Sequence, residues 1–196
     1  MPARNTVREY EIPAYYHVYN RGAGERAIFV DAADKRKFLS ILERYLCDDD
    51  ACAIFPTYDI ELLAYCIMGN HYHLLLFQEQ NPKAISQLMK SVSIAYSMYF
   101  NRKYKTQGHV FQGVFRASRI TNEPYLAHIS RYIHLNPEKY HTYRRSSLPY
   151  YLGVVAPEWV KPGRLLDMVP QEYQEFLEDY KDRRQLLKEI KEQLAQ

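Results

Sequence analysis

The spacing of hydrophobic positions changes several times along the chain, and each change marks an element. Tyr15-Tyr16-His17-Val18-Tyr19-Asn20-Arg21-Gly22 is an aromatic, β-branched run ending in a turn glycine, which predicts a strand. Phe38, Leu39, Ile41, Leu42, Tyr45 and Leu46 then recur at helical spacing. Asp31 or Asp34 can cap that helix, and Asp48-Asp49-Asp50 ends it. Three consecutive aspartates invite a cation, but the spaced ligands and glycine of a calcium loop are missing, so they read as a solvated turn. Between Glu61 and Phe77 two apolar runs flank Gly69-Asn70. Glycine at the first central position predicts a two-residue type II′ hairpin turn, with Met68 facing His71 across an antiparallel pair.

Side chains alternate along a strand, so His71, His73, Leu75 and Phe77 share one face and Tyr72, Leu74 and Leu76 the other. Both faces are largely apolar, which predicts a central strand covered on both sides. Asn81 is an N-cap candidate followed by Pro82 at the first helical position. Ile85, Leu88, Met89, Val92, Tyr96, Tyr99 and Phe100 form the apolar stripe of the helix that follows, with Lys90 and several serines on its other face. HVFQGVFRASRI reads as another strand, with Gly113 a bulge or a point of close approach. Asn122-Glu123-Pro124 opens a third helix, which Asn136-Pro137 ends. Residues 138–196 hold Pro149, Pro157, Pro162 and Pro170, then a charged helix from about Gln171. Its apolar side, Tyr173, Phe176, Leu177 and Tyr180, suits docking on the domain or on a partner. Strand, helix, hairpin, helix, strand, helix predicts an α+β fold, an antiparallel sheet with packed helices close to the ferredoxin-like arrangement. The expected division is residues 1–145 as the main domain and 146–196 as a C-terminal extension.

Bulk composition narrows the possibilities. A chain of 196 residues, 47% hydrophobic and 25% charged, fits one domain with a sizeable core. No apolar run approaches the roughly 18 residues a membrane span needs, and MPARNTVREY lacks the apolar region of a secretory signal, so a cytoplasmic location is expected. Cys47, Cys52 and Cys66 form no C-x-x-C pair and read as reduced thiols. The net charge is only +3, but residues 81–145 hold eleven Lys or Arg against two Asp or Glu, while both flanks are mildly acidic. The same third is rich in Tyr, Phe and His, a composition suited to a phosphate backbone with bases stacked on rings. The candidate nucleic-acid contacts are Arg21, Lys90, Arg102, Lys103, Lys105, Gln112, Arg116 and Arg119.

Two imidazoles at i and i+2 on one strand face can place nitrogens on a single metal ion. In SRYIHLNP, Tyr132 and Asn136 are four residues apart and stack on one helical face. Blander readings exist for both: a half-buried ring with a satisfied hydroxyl, and a C-cap before proline.

The strand-borne His-x-His, followed by a Tyr four residues before an amide on a helix ending in Asn-Pro, resembles the HUH single-strand endonucleases, specifically the REP-associated tyrosine transposases. The likeness runs over most of residues 12–150. YYHVYNRG resembles the family's first strand, RAIFVDAADKRKFL its first helix, LLAYCIMGNHYHLLL the HUH hairpin, GHVFQGVFRASRI the next strand and RYIHLNP the tyrosine helix. Gly69 stands where the family commonly has proline. The resemblance implies that His71 and His73 bind a divalent metal, Mg²⁺ or Mn²⁺, with Asn136 as a further ligand, and that Tyr132 is the nucleophile. The implied activity is transposase-like: cleavage and rejoining of single-stranded DNA, often beside imperfect hairpins, through a 5′-phosphotyrosine. The implied partner is single-stranded or hairpin DNA, and the spacings suit a monomer or a homodimer.

That chemistry is sound on its own terms. A phenol with a pKa of about 10 is a poor nucleophile at neutral pH, and a phosphodiester repels anions; a divalent cation relieves both difficulties. Other readings are a domesticated protein that binds DNA hairpins with little nuclease activity, a metal hydrolase using His71, His73 and His17 without a covalent intermediate, and an RNA-binding protein using the same basic, aromatic sheet.

Overall fold

The computed structural model describes residues 8–47, 54–165 and 168–179. The aspartate run 48–50, Cys52 and Tyr180 therefore lie outside the described residues. Four strands form one sheet: β1 (Ala14–Arg21), β2 (Glu61–Ile67), β3 (His71–Gln78) and β4 (Arg116–Ile120), in the order β2-β3-β1-β4 with every neighbour antiparallel. Helices α1 (Ala32–Leu46) and α2 (Ala84–Tyr104) intervene, and α3 (Glu123–His134), a short α4 (Leu148–Tyr151) and α5 (Pro170–Glu178) follow. This is the expected α+β arrangement.

Two cores lie on opposite faces of the sheet. Tyr72, Leu74 and Leu76 pack with Phe38, Leu42, Leu88, Val92 and Tyr96 under α1 and α2. Leu75 and Phe77 pack with Ile129, Tyr132 and Ile133 of α3 and with Tyr151, Tyr173 and Leu177 beyond it. The alternation in β3 thus sorts as the sequence predicts. On β2 a register shift between Leu62 and Ala64 turns both Leu63 and Ala64 toward the second core, a bulge that breaks strict alternation.

Asp31 and Asp34 divide the capping work. Asp31 is the N-cap and accepts from the backbone N–H groups of Ala33 and Asp34, while Asp34 accepts from those of Val30 and Asp31. Asp34 is fully buried, and Lys103, Tyr99 and Tyr104 all donate to its carboxylate. Burial works against its ionisation, but these hydrogen bonds together hold its carboxyl below the usual carboxylate range.

Three local expectations need correction. The hairpin has the expected register, with Met68 N–H donating to the His71 carbonyl, but Gly69 is not at positive φ and the turn is not type II′. Instead the loop after β1 shapes it: Ile28 and Phe29 donate to the Gly69 carbonyl, and Gly22 donates to the Asn70 carbonyl. Second, α2 begins at Ala84; Asn81-Pro82-Lys83 forms a turn in which the Asn81 side chain accepts from Lys83 N–H. Third, HVFQGVFRASRI is a strand only from Arg116. Val110 and Phe111 insert into the core from a loop, and Gly113, at φ 119°, turns the chain back so that its carbonyl accepts from the Asn20 amide.

Candidate active site

Strand pairing assembles the site from residues far apart in sequence. Tyr19 of β1 lies opposite His73 of β3 on one side and Arg116 of β4 on the other, while Arg21 lies opposite His71 and His17 opposite Ser118. Period-two alternation then puts His17, Tyr19, Arg21, His71, His73, Arg116 and Ser118 on the face that α3 covers. The α3 helix stops short of covering all of it. A cleft of about 820 Å³ opens beside its C-terminal end, lined by these strand residues together with Arg8, Asn70, Tyr132 and Asn136.

Tyr132 is nearly buried, at 3% exposure. Its ring meets His73 edge-on at 5.3 Å and His17 at 5.7 Å. Burial pushes its hydroxyl up to about 12, nearby Tyr19 adds to the rise, and a hydrogen bond from the Asn136 amide works the other way. That bond uses the Asn136 N–H₂ group, so the amide oxygen is turned to His71, whose Nε2 is 3.2 Å away. On the other side of the His71 ring, Nδ1 lies 2.6 Å from Asn70 Oδ1, and Asn70 is oriented by donating its own amide to the Glu25 carbonyl. His71 Nδ1–H is therefore the donor to Asn70, and in the neutral ring the Nε2 lone pair faces the lone pairs of Asn136 Oδ1. Two acceptors face to face suit a shared cation. Ligand atoms about 2.1 Å from one ion stand roughly 3.0–3.4 Å apart, which brackets the observed separation. His73 lies beside them, its ring 5.1 Å from that of His71. The residues present thus fit a divalent ion. Among the described residues no group of three His, Cys, Asp or Glu side chains offers a metal cluster; the donor set here is two imidazoles and an amide.

His17, 1% exposed, is held neutral by burial, which pushes its pKa down to about 3. Its Nε2 is 2.8 Å from His73 Nδ1, with the two rings nearly parallel.

The predicted contacts with nucleic acid divide by sheet face. Arg21 and Arg116 line the cleft, and Gln112 accepts from Arg21 at its edge, where a smaller recess also includes Val114. Arg21 also forms an exposed ion pair with Glu25. Arg119 lies opposite Tyr16, on the other sheet face, and pairs with Glu11. Lys103 is bound to Asp31 and Asp34. Lys90, Arg102 and Lys105 belong to α2 or its C-cap, across the sheet from the histidines. The structure adds Arg8, Tyr19 and Ser118, none of them a candidate site residue in the sequence, and it gives His17 a place beside His73. The alternation in YYHVYNR puts His17, Tyr19 and Arg21 on one face; only the pairing with β3 says which face.

A sequence model described as "Transposase IS200 like" matches residues 13–136. Among solved structures, the chain is similar to a REP-associated tyrosine transposase bound to a REP hairpin, with 14% identity over 84% of this chain and 94% of that one and a TM-score of 0.57. It is also similar to a putative transposase from Deinococcus radiodurans R1, with 18% identity, 66% and 95% coverage, and a TM-score of 0.41. A search of the curated proteins finds no match. Among the described residues no helix is long and apolar enough to cross a membrane.

Proposed function

The chain belongs to the family of IS200-like transposases, and from that premise we propose that it cleaves and rejoins single-stranded DNA through a covalent 5′-phosphotyrosine at Tyr132. His71, His73 and Asn136 hold a divalent ion, Mg²⁺ or Mn²⁺, in this reading. The observation that carries it is the convergence of Tyr132, Asn136, His71 and His73 on one cleft, with Arg21 and Arg116 on its walls. The REP hairpin in the structural relative suggests DNA beside a hairpin as the substrate here.

Each residue has a role in an in-line displacement at phosphorus. Arg21 and Arg116 attract the phosphate backbone into the cleft. The Tyr132 hydroxyl gives its proton to solvent in the cleft as its oxygen attacks phosphorus, the bond to the 3′-oxygen breaks, and the 3′-oxygen takes a proton from solvent and leaves as a hydroxyl, so no net proton is gained or lost. The Asn136 amide N–H donates to the phenol oxygen, favouring its anionic form against the burial that opposes it. A bound divalent ion supplies charge neutralisation at the phosphate and the leaving oxygen. Because phosphotyrosine keeps a phosphodiester bond, the free 3′-hydroxyl can reverse the reaction, and strand transfer needs no nucleotide cofactor.

Trapping the adduct tests the reading. Protein incubated with Mn²⁺ and a hairpin oligonucleotide labelled at its 5′ or 3′ end, then run on a denaturing gel, should retain label only from the fragment 3′ of the nick. Tyr132→Phe should retain none while still binding the hairpin. An adduct that persists in Tyr132→Phe, or one formed on the other fragment, overturns the assignment.

A further inference from the structure

We propose that His17 is a positioning residue for His73: its Nε2 accepts the His73 Nδ1–H, holding the ring with the Nε2 lone pair available to the cleft. The inference rests on the metal site of the preceding section and adds a residue to it. A neutral imidazole carries one proton, so a ring that gives one nitrogen's lone pair to a cation carries hydrogen on the other. In His73 that other nitrogen is Nδ1, and it faces His17 Nε2 at 2.8 Å. His17 must then accept, with its own proton on Nδ1.

The reverse arrangement satisfies the same contact but not the same chemistry. Were His17 Nε2–H the donor, His73 would carry its proton on Nε2 and have no lone pair for an ion. The surroundings of His17 do not choose between the two, because its Nδ1 is buried with no hydrogen-bond partner in either case. The choice falls to what His73 Nε2 binds. Packing holds the pair in register: the His17 and His73 rings lie edge to edge with centroids 5.0 Å apart and planes within 13°, the Tyr19 ring is 5.1 Å from His17, and the Tyr132 ring stands edge-on to both imidazoles. Outer partners of this kind, which fix the tautomer and direction of a ligating imidazole, govern metal affinity without touching the ion.

The test uses the full chain and Mn²⁺ titrated by calorimetry into wild type, His71→Ala, His17→Leu and His17→Gln. Leucine fills the space without accepting a hydrogen bond, and should weaken binding about 10–100-fold. Glutamine places a carbonyl oxygen near the position of Nε2 and should restore binding to within roughly fivefold of wild type. Nitrogen NMR of Zn²⁺-loaded wild type should show both His17 and His73 protonated at Nδ1, a readout that does not depend on any variant folding. A folded His17→Leu protein that binds Mn²⁺ like wild type, or a loaded His17 protonated at Nε2, overturns the proposal. If His71→Ala also leaves Mn²⁺ binding unchanged, the metal reading falls and takes this inference with it. If His71→Ala weakens binding and His17→Leu does not, only the positioning role falls.

Discussion

His71 Nε2 and Asn136 Oδ1 face each other at 3.2 Å, and with Nδ1–H given to Asn70 a neutral His71 ring turns a lone pair toward the amide oxygen. On the proposed reading a cation resolves that opposition, so removing one of its ligands should be felt in metal binding first. His71→Ala and His73→Ala should each weaken Mn²⁺ binding by at least the 10–100-fold typical of losing a mere supporting partner, and should abolish cleavage. Hairpin affinity should change little, since cationic contacts with phosphate supply it. Calorimetry and a gel-shift series make the comparison. Cleavage by the double variant at the wild-type rate would contradict it.

Arg116 and Arg119 are three residues apart on β4 yet lie on opposite faces of the sheet. Arg116→Ala should reduce the slope of log affinity for single-stranded DNA against log salt by about 0.7. Arg119→Ala should leave the slope unchanged, because Arg119 pairs with Glu11 away from the cleft. Equal loss of slope in both variants would mean that DNA crosses both faces.

Lys103 is exposed, but its charge is committed to α1 and not left for a phosphate. Its ammonium group donates to Asp31 and to the buried Asp34, the residue that also caps α1. Asp34→Ala removes one of the cation's two acceptors and the acceptor of the Tyr99 and Tyr104 hydroxyls, and should cost about 1–3 kcal/mol. Lys103→Gln should also lower stability while sparing hairpin affinity. Urea unfolding beside binding curves separates the two effects.

His134 is fully buried; its Nδ1 pairs with the Tyr173 hydroxyl and its Nε2 with that of Ser147. Burial pushes it from an ordinary 6.5 down to about 3, so the unfolded chain binds its proton at a pH where the folded chain does not. Stability from this group is complete above pH 6.5 and drains away as pH falls toward 3, at up to about 1.4 kcal/mol per pH unit. His134→Gln should be less stable than wild type at pH 7 but show a shallower acid slope. Denaturant titrations at a series of pH values read the difference, and parallel slopes would argue against it.

The helices α1, α2 and α3 and the β2–β3 hairpin were legible because each carries a strong period of its own. Strand β4 was overextended because Val110 and Phe111 look like strand residues; they are buried and bonded to the backbone just after β1, but only through an isolated bridge at Gly22, which local pattern does not distinguish from a continuous strand. The i,i+2 histidines and the Tyr132–Asn136 spacing were visible for the same local reason. What the sequence hid was long-range: β1 pairing with β3 in the register that sets Tyr19 against His73, and the choice of sheet face on which α2 packs. That choice carries Lys90, Arg102 and Lys105 away from the histidines, although the chain places them in the same basic third.

Helix α3 is gripped from behind as well as from the sheet. The Tyr173 hydroxyl of α5 bonds Ser130 and His134, and Arg131 donates to the Phe176 carbonyl with its guanidinium over that ring. Ser147 meanwhile bonds the backbone of Tyr65 on β2, and the Val160 segment runs beside Leu62. Leu148, Tyr151, Tyr173 and Leu177 thus paper over the second core while Trp159 and Val160 join the first, and a fragment ending at residue 145 would bare Leu63, Ile129 and Ile133 to solvent. Anyone trimming this protein for expression should expect aggregation rather than a smaller working domain.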